Sequence, residues 1–531
     1  MNSLLRHSPI QTYFNRSVYA LALALLAGCS PAPNTIEPTA TPIAAAPTLA
    51  SLPPTAVLPT ALPATPAAPE APTALPATPA EAPTDSAISQ TGTSITASAA
   101  DLVYQRPDGS LWRAGQPGQP PISLTEPTEP QALLPWAAAP DGKTIAVVTG
   151  TGLWYQFHEN PTLALWLVGA DGSNPRKIQD LLPPRGVDIT PGGDDAFNLV
   201  PALTSHQELA WSPDGQLVAF VSAHQDQVDL YTAALDGTVA RLTNTPRLEQ
   251  GPRWSPDGAQ IAYRTTSGFG TGAGWGDVAL EVTARGGGAP AMVMDDRKLA
   301  AGTAAIALPD LVWISPTMLV AGLADSAVGN AELRTLDTGT HASTAIFDAP
   351  YSALEWNQAT RQLAIAGTSQ SILQAKVDDR KLAAGLFTWS PDAGAPTQIE
   401  RAPVEALAWT PQGDALAYSV GGEQPGLRLW AIGAEGDLKP LAVQPARQLR
   451  WSLDGQRLAT DTAIYSRAGQ LLGDRSNDQP ATLIGWGPQG LFFATADGSD
   501  RDLWLWGDTL PQQIDSKLTT TQSAGVVLVR P

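Results

Sequence analysis

From about residue 100 onward, short apolar or alternating runs such as Leu217-Val-Ala-Phe-Val221 are separated by clusters of Ser, Pro, Asp and Gly. Runs this short, bounded by turn formers, predict strands and not helices. One phrase recurs, most clearly as Leu209-Ala-Trp-Ser-Pro-Asp-Gly-Gln-Leu-Val-Ala-Phe-Val-Ser222 and Pro252-Arg-Trp-Ser-Pro-Asp-Gly-Ala-Gln-Ile-Ala-Tyr-Arg264. Its logic is a hairpin: a strand ends in Trp, proline pre-sets φ at the first corner, glycine takes the positive-φ corner, and a second strand returns. A third strand with its own Asp-Gly turn follows, as in Asp229-Leu-Tyr-Thr-Ala-Ala-Leu-Asp-Gly237, and Val239-Ala-Arg-Leu-Thr243 makes a fourth.

The phrase is found around Trp136, Trp211, Trp254, Trp313, Trp356, Trp409, Trp451 and Trp486, at intervals of 75, 43, 59, 43, 53, 42 and 35 residues. A four-stranded unit repeating about every 42 residues is one propeller blade per repeat. The expected fold is therefore all-β: a single β-propeller over residues 99–531, of about eight blades within a range of seven to nine. Eight is the working number because the unit at Trp313 or Trp486 is expected to merge with a neighbour. Leu102-Val-Tyr104, Asp108-Gly-Ser-Leu-Trp112 and Ile122-Ser-Leu124 lack a leading Trp phrase, and Gly525-Val-Val-Leu-Val-Arg-Pro531 is a lone strand. Pairing these N- and C-terminal strands closes the ring and removes exposed edges.

The repeated phrase resembles the blades of TolB-type propellers, a WD-repeat-like family of bacterial envelope proteins. The resemblance covers roughly residues 100 to 531 and implies an envelope location. TolB-type proteins carry an α/β domain ahead of the propeller, where this chain has other material.

That material reads as an export signal and a tether. Arg6 and Arg16, without acidic neighbours, precede the apolar run Val18-Tyr-Ala-Leu-Ala-Leu-Ala-Leu-Leu-Ala27. A basic segment followed by a run of about ten apolar residues is a secretory signal, too short to span a bilayer of about 30 Å. Leu26-Ala27-Gly28-Cys29 resembles the lipobox of bacterial lipoproteins, which implies lipidation of Cys29 after cleavage behind residue 28. Residues 29–98 are dominated by Pro, Ala and Thr, as in Pro63-Ala-Thr-Pro-Ala-Ala-Pro-Glu-Ala-Pro72. Proline at that density removes amide donors, so the segment is expected to be a disordered tether with a stretched reach on the order of 150 to 200 Å.

The net charge of -19 disfavours nucleic acid, which needs clustered Lys and Arg. The single cysteine excludes an internal disulfide and any multi-Cys metal site. His7, His158, His206, His224 and His341 form no metal-ligand spacing, and no Gly-x-Ser-x-Gly nucleophile elbow occurs. The Trp series is expected to be buried between blades, and the turn aspartates to serve local hydrogen bonds instead of calcium. No catalytic residue, cofactor or metal is expected, and the chain is expected not to be an enzyme.

Function concentrates on long loops of rigid scaffolds. Two insertions stand out: one with Asp188, Asp194 and Asp195, the other, glycine-rich, with Phe269 and Trp275. The octapeptide Asp295-Asp-Arg-Lys-Leu-Ala-Ala-Gly302 also returns unchanged at 378–385, without a physical reason apparent from sequence. The leading expectation is a monomeric, lipid-anchored extracytoplasmic module that binds or scaffolds a protein or glycan of the cell envelope. The competing one is a propeller enzyme, a lyase or glycosidase acting on envelope or extracellular polysaccharide.

Overall fold

The computed structural model describes residues 102–526 apart from 107, 115–119, 127–133, 152–161, 185–202, 204–208, 226, 267–268, 271–273, 276–277, 296–302, 326–328, 369–383, 433–438, 443, 476–480, 498–499, 508–510 and 519–524. The signal, the lipobox residues Leu26, Ala27 and Gly28, Cys29 and the tether all lie outside the described residues.

The described elements are strands, arranged as nine four-stranded antiparallel sheets, with one extra two-stranded hairpin. Blade 2 illustrates the unit: Trp136–Ala138, Thr144–Thr151, Thr162–Gly169 and Arg176–Asp180 pair in chain order. Blades 3 to 9 repeat it, opening with strands Ala210–Trp211, Leu248–Trp254, Thr303–Ser315, Tyr351–Asn357, Val404–Trp409, Leu449–Trp451 and Thr482–Gly487. Opening strands of consecutive blades approach one another, which makes them the innermost strands around a central axis. Nine is the top of the expected range. The units at Trp313 and Trp486 do not merge with their neighbours; each has its own complete sheet.

Blade 1 closes the ring. Gly525–Val526 forms its inner strand beside Leu102–Gln105, with Leu102 opposite Val526, followed outward by Leu111–Arg113 and Ile122–Ser123. The seam is reinforced from blade 9: Asp515 accepts from the Tyr104 hydroxyl at 2.6 Å and from Arg106 Nη2 at 2.8 Å.

The core lies between blades. Separate apolar clusters join blades 1 and 2, 2 through 4, 4 and 5, and so on around to 9 and 1. The tryptophans bolt these interfaces. The indole N–H of Trp254, Trp313, Trp409, Trp451 and Trp486 donates to the carbonyl of the residue preceding the anchor Trp of the previous blade, at 2.9–3.2 Å. Trp211 donates instead to the carbonyl of Ala137, the residue after Trp136, at 3.0 Å. A large ring thus fills the gap between sheets while its one polar atom is satisfied. Trp356 departs from this pattern, donating to Gln358 in its own turn.

Outer strands are blunted. In blades 2 and 4 to 9 the third-to-fourth strand register slips, twice in blade 9, and Ile178, Val293, Ile346, Ile399, Leu441, Leu472 and Ile514 are bulge residues. A bulge interrupts the edge that would otherwise template pairing with another chain. Six of these side chains pack into the interblade clusters. Leu472 is the exception at 51% exposed; beside it, Trp506 of blade 9 lies so close to Gly473 that a Cβ there would meet its ring at 2.3 Å.

Candidate functional site

Antiparallel order sorts every connection onto one of two faces. Turns between first and second, and third and fourth, strands fall on one face; all other connections fall on the opposite face. On the first, the turn face, no connection is longer than 114–121. At the second, the loop face, lie the strand ends that flank the longer intervals 124–135, 152–161, 181–209, 267–278 and 368–384.

The turn face is chemically self-contained. In blade 3, Ser212 Oγ donates to Asp214 Oδ1 at 2.6 Å and accepts from Leu217 N at 3.0 Å, while Gly215 has φ of 68°. Blades 4 and 8 repeat this with Ser255, Asp257 and Gly258, and with Ser452, Asp454 and Gly455. Hydrogen bonding from Ser212, assisted by Arg285 of blade 4 at 2.8 Å, lowers the Asp214 carboxyl to about 2. The turn aspartates therefore accept local hydrogen bonds, as their position in the turn implies. Glycine supplies the positive φ at these corners, and at two corners a Cβ would also crowd a side chain of the previous blade. A Cβ on Gly455 would meet Gln412 of blade 7 at 2.3 Å, and one on Gly413 would meet Asn357 of blade 6 at 2.4 Å.

The loop face is different where blades 3 and 4 meet. Asp229 and Glu249 have no exposed surface and Glu281 is 5% exposed. Asp229, which opens the third strand of blade 3 (Asp229–Ala234), is paired with Arg241 and accepts from Thr245 N at 3.3 Å. Glu249 Oε1 accepts from Thr245 Oγ1 at 2.8 Å, while its Oε2 is buried with no hydrogen-bond partner among the described residues. Glu281, on the third strand of blade 4 (Ala279–Ala284), accepts from Tyr263 OH and Thr265 Oγ1, both at 3.3 Å, with Arg247 Nε at 3.8 Å. Burial, then the adjacent Asp229 carboxylate, pushes Glu249 well above the usual carboxyl range, against the Thr245 bond. Burial also raises Asp229, opposed by Arg241, and raises the Tyr263 hydroxyl. No group of three or more His, Cys, Asp or Glu among the described residues has the geometry to hold a metal.

A second perturbed acid sits on an inner strand. Glu355 Oε2 accepts from Trp409 N at 3.0 Å, and its backbone carbonyl accepts from the Trp409 indole at 3.2 Å, so one residue clamps blade 6 to blade 7. Burial pushes this carboxyl up to about 7, with the Trp409 bond and Arg450 opposing.

The glycine-rich insertion forms the extra hairpin, Phe269–Gly270 with Gly274–Trp275, in which Phe269 is the partner of Trp275. It joins the second and third strands of blade 4 at the same end as Thr265 and Glu281. Asp188, Asp194 and Asp195 lie outside the described residues, between Leu181 and Leu203, both of which are buried in the cluster of blades 2 to 4. Both octapeptide copies fall almost wholly outside the described residues; only Asp295, ending a strand of blade 4, and 384–385, leading into a strand of blade 6, are described. The Asp229, Glu249 and Glu281 group escaped sequence reasoning. Its signal was a carboxylate within an otherwise apolar or Thr-rich strand, as in Ala279-Leu-Glu-Val-Thr-Ala284.

Nine four-stranded blades in a ring make the chain a β-propeller. No protein-family model matches it. Over 62 residues it is 42% identical to the uncharacterized peptidase YuxL of Bacillus subtilis, a match covering 11% of this chain and 9% of that protein. Similar solved structures include a putative TolB from Agrobacterium tumefaciens (TM-score 0.28, 18% identity, 47% of this chain and 81% of that one). The Pyrococcus horikoshii acylaminoacyl peptidase is another (TM-score 0.35, 10% identity, 70% of this chain and 50% of that one). The expectation that the chain is not an enzyme is corrected by the YuxL match, since the shared segment belongs to a protein named as a peptidase. The physical reason is that a repeated blade motif is silent about chemistry, so a missing nucleophile elbow tests only one of its forms.

Proposed function

We propose that this chain is a lipid-anchored binding module of the cell envelope, held through Cys29 on the 29–98 tether, whose loop face docks a protein or glycan. The observation that carries the reading is the division of labour between faces: long connections collect on one, while the other is consumed by its own turns. The hairpin bearing Phe269 and Trp275 contributes the contact surface beside blades 3 and 4.

The test places a photo-crosslinking residue at 275 on the loop face or at exposed Gln216 on the turn face of the full chain in intact envelopes. Adducts to the same component from position 275 alone are expected. Adducts from 216 alone, or equally from both, contradict the docking face. Cys29→Ser is expected to release the chain from the membrane fraction, and its retention there contradicts the anchor.

The YuxL match favours a second reading, in which the propeller serves peptide hydrolysis. Turnover of a fluorogenic peptide library by the purified chain supports it, and a rate equal to buffer opposes it.

A further inference from the structure

At the loop face the connection from blade 3 to blade 4 is tied down chiefly through carboxylates. Thr245 N donates to Asp229, Thr245 Oγ1 donates to Glu249, Glu249 N donates to Val228 O at 3.1 Å, and Arg247 Nε donates to Thr265 Oγ1 at 2.7 Å. Three carboxylates converge there, Asp229, Glu249 and Glu281, against two cations, Arg241 and Arg247. Among the described residues, Tyr263 also faces Glu281, and His224, between the second and third strands of blade 3, has a buried Nδ1 without a partner. Arg264 alternates to the other side of its strand, where it donates to Gln250 at 2.6 Å, and so does not balance the cluster. With Asp229 and Glu249 fully buried and Glu281 nearly so, one carboxylate in excess of the two arginines favours one bound proton.

We propose that blades 3 and 4 are joined by a proton-operated latch: one proton in the Asp229, Glu249 and Glu281 cluster keeps the 242–247 connection seated, and its loss in alkaline solution releases that sector of the loop face. Glu249 carries the proton, because Asp229 and Glu281 each have an arginine partner and Glu249 has none among the described residues. The sign follows from burial. A carboxyl whose folded-state affinity for protons is raised contributes stability at low pH and loses it as pH rises through the folded value. The proposal does not depend on the docking role.

The test is hydrogen exchange of segment 242–250 in the full chain at about pH 6 and about pH 9, corrected for intrinsic rates. In the wild type, opening should be about tenfold more frequent at the higher pH, the change one unit of linkage produces. In Glu249→Gln the ratio should fall to within about twofold. The seam segment 102–105 should show no difference between the two proteins. Equal ratios in wild type and Glu249→Gln overturn the latch. Difference infrared titration is the second readout. In Glu355→Gln, which lacks the other carboxyl raised to near neutrality, a protonated-carboxyl band persisting at neutral pH supports the latch, and its absence overturns it even if Glu249→Gln does not fold.

Discussion

The turn face and the loop face are made by the same nine sheets, yet they are held by different physics. On the turn face the corners of blades 3, 4 and 8 are held mainly by local bonds: a Ser hydroxyl, an Asp carboxylate and a glycine of positive φ, as at Ser452, Asp454 and Gly455, with added support such as Arg285 on Asp214. On the loop face at blades 3 and 4, the connection from one blade to the next is tied to a buried carboxylate of each, Asp229 and Glu249. The first arrangement is stiff and nearly indifferent to pH near neutrality; the second stores charge in a closed space. A scaffold with one self-satisfied face can elaborate the other at little cost to the ring.

The comparison can be broken at three depths. The largest effect belongs to the interface both faces share. Trp451→Ala removes a ring that is 7% exposed and a 3.0 Å bond to Ala408, and should lower stability by about 3–5 kcal/mol in denaturant titration at any pH. Next is the turn face: Gly455→Ala forces a Cβ at φ of 68° against Gln412 and should cost on the order of 1–3 kcal/mol, again independent of pH. A pH-dependent loss in either variant would erase the distinction drawn here.

The smallest effect is the most selective. Glu355, pushed up to about 7, contributes stability that is present below the ordinary carboxyl range and is lost as pH rises through about 7. Glu355→Gln keeps an acceptor for Trp409 N and should flatten the melting temperature between about pH 5 and about pH 8, where the wild type declines. Glu355→Ala, which leaves that N–H without its acceptor, should instead lower stability by about 1–3 kcal/mol across the range.

Legibility followed the same division. The hairpins around Trp211, Trp254 and Trp451, the ring closure by Gly525–Val526 and the local role of the turn aspartates were readable because each is written within a few consecutive residues. The blade at Trp313 was harder to read, since its turn is only Pro316 and Thr317 and carries no Asp-Gly signal. The bulge residues from Ile178 to Ile514 look like ordinary alternation until register is known. Asp229, Glu249 and Glu281 were out of reach for a different reason. They sit on three strands of two blades, and no local pattern announces that a ring will bring them together.

Every statement about faces and interfaces depends on the order in which the sheets close. The direct measurement introduces Leu102→Cys and Val526→Cys into a chain carrying Cys29→Ser, the change that removes the one native thiol. Directly opposed residues of an antiparallel pair lie about 4.5–5.5 Å apart at Cα, within the span a disulfide bridges. The account predicts spontaneous oxidation to an intramolecular disulfide, seen as a reducible gel shift, and a higher melting temperature. Two free thiols that both react with an alkylating agent in the folded chain would contradict it.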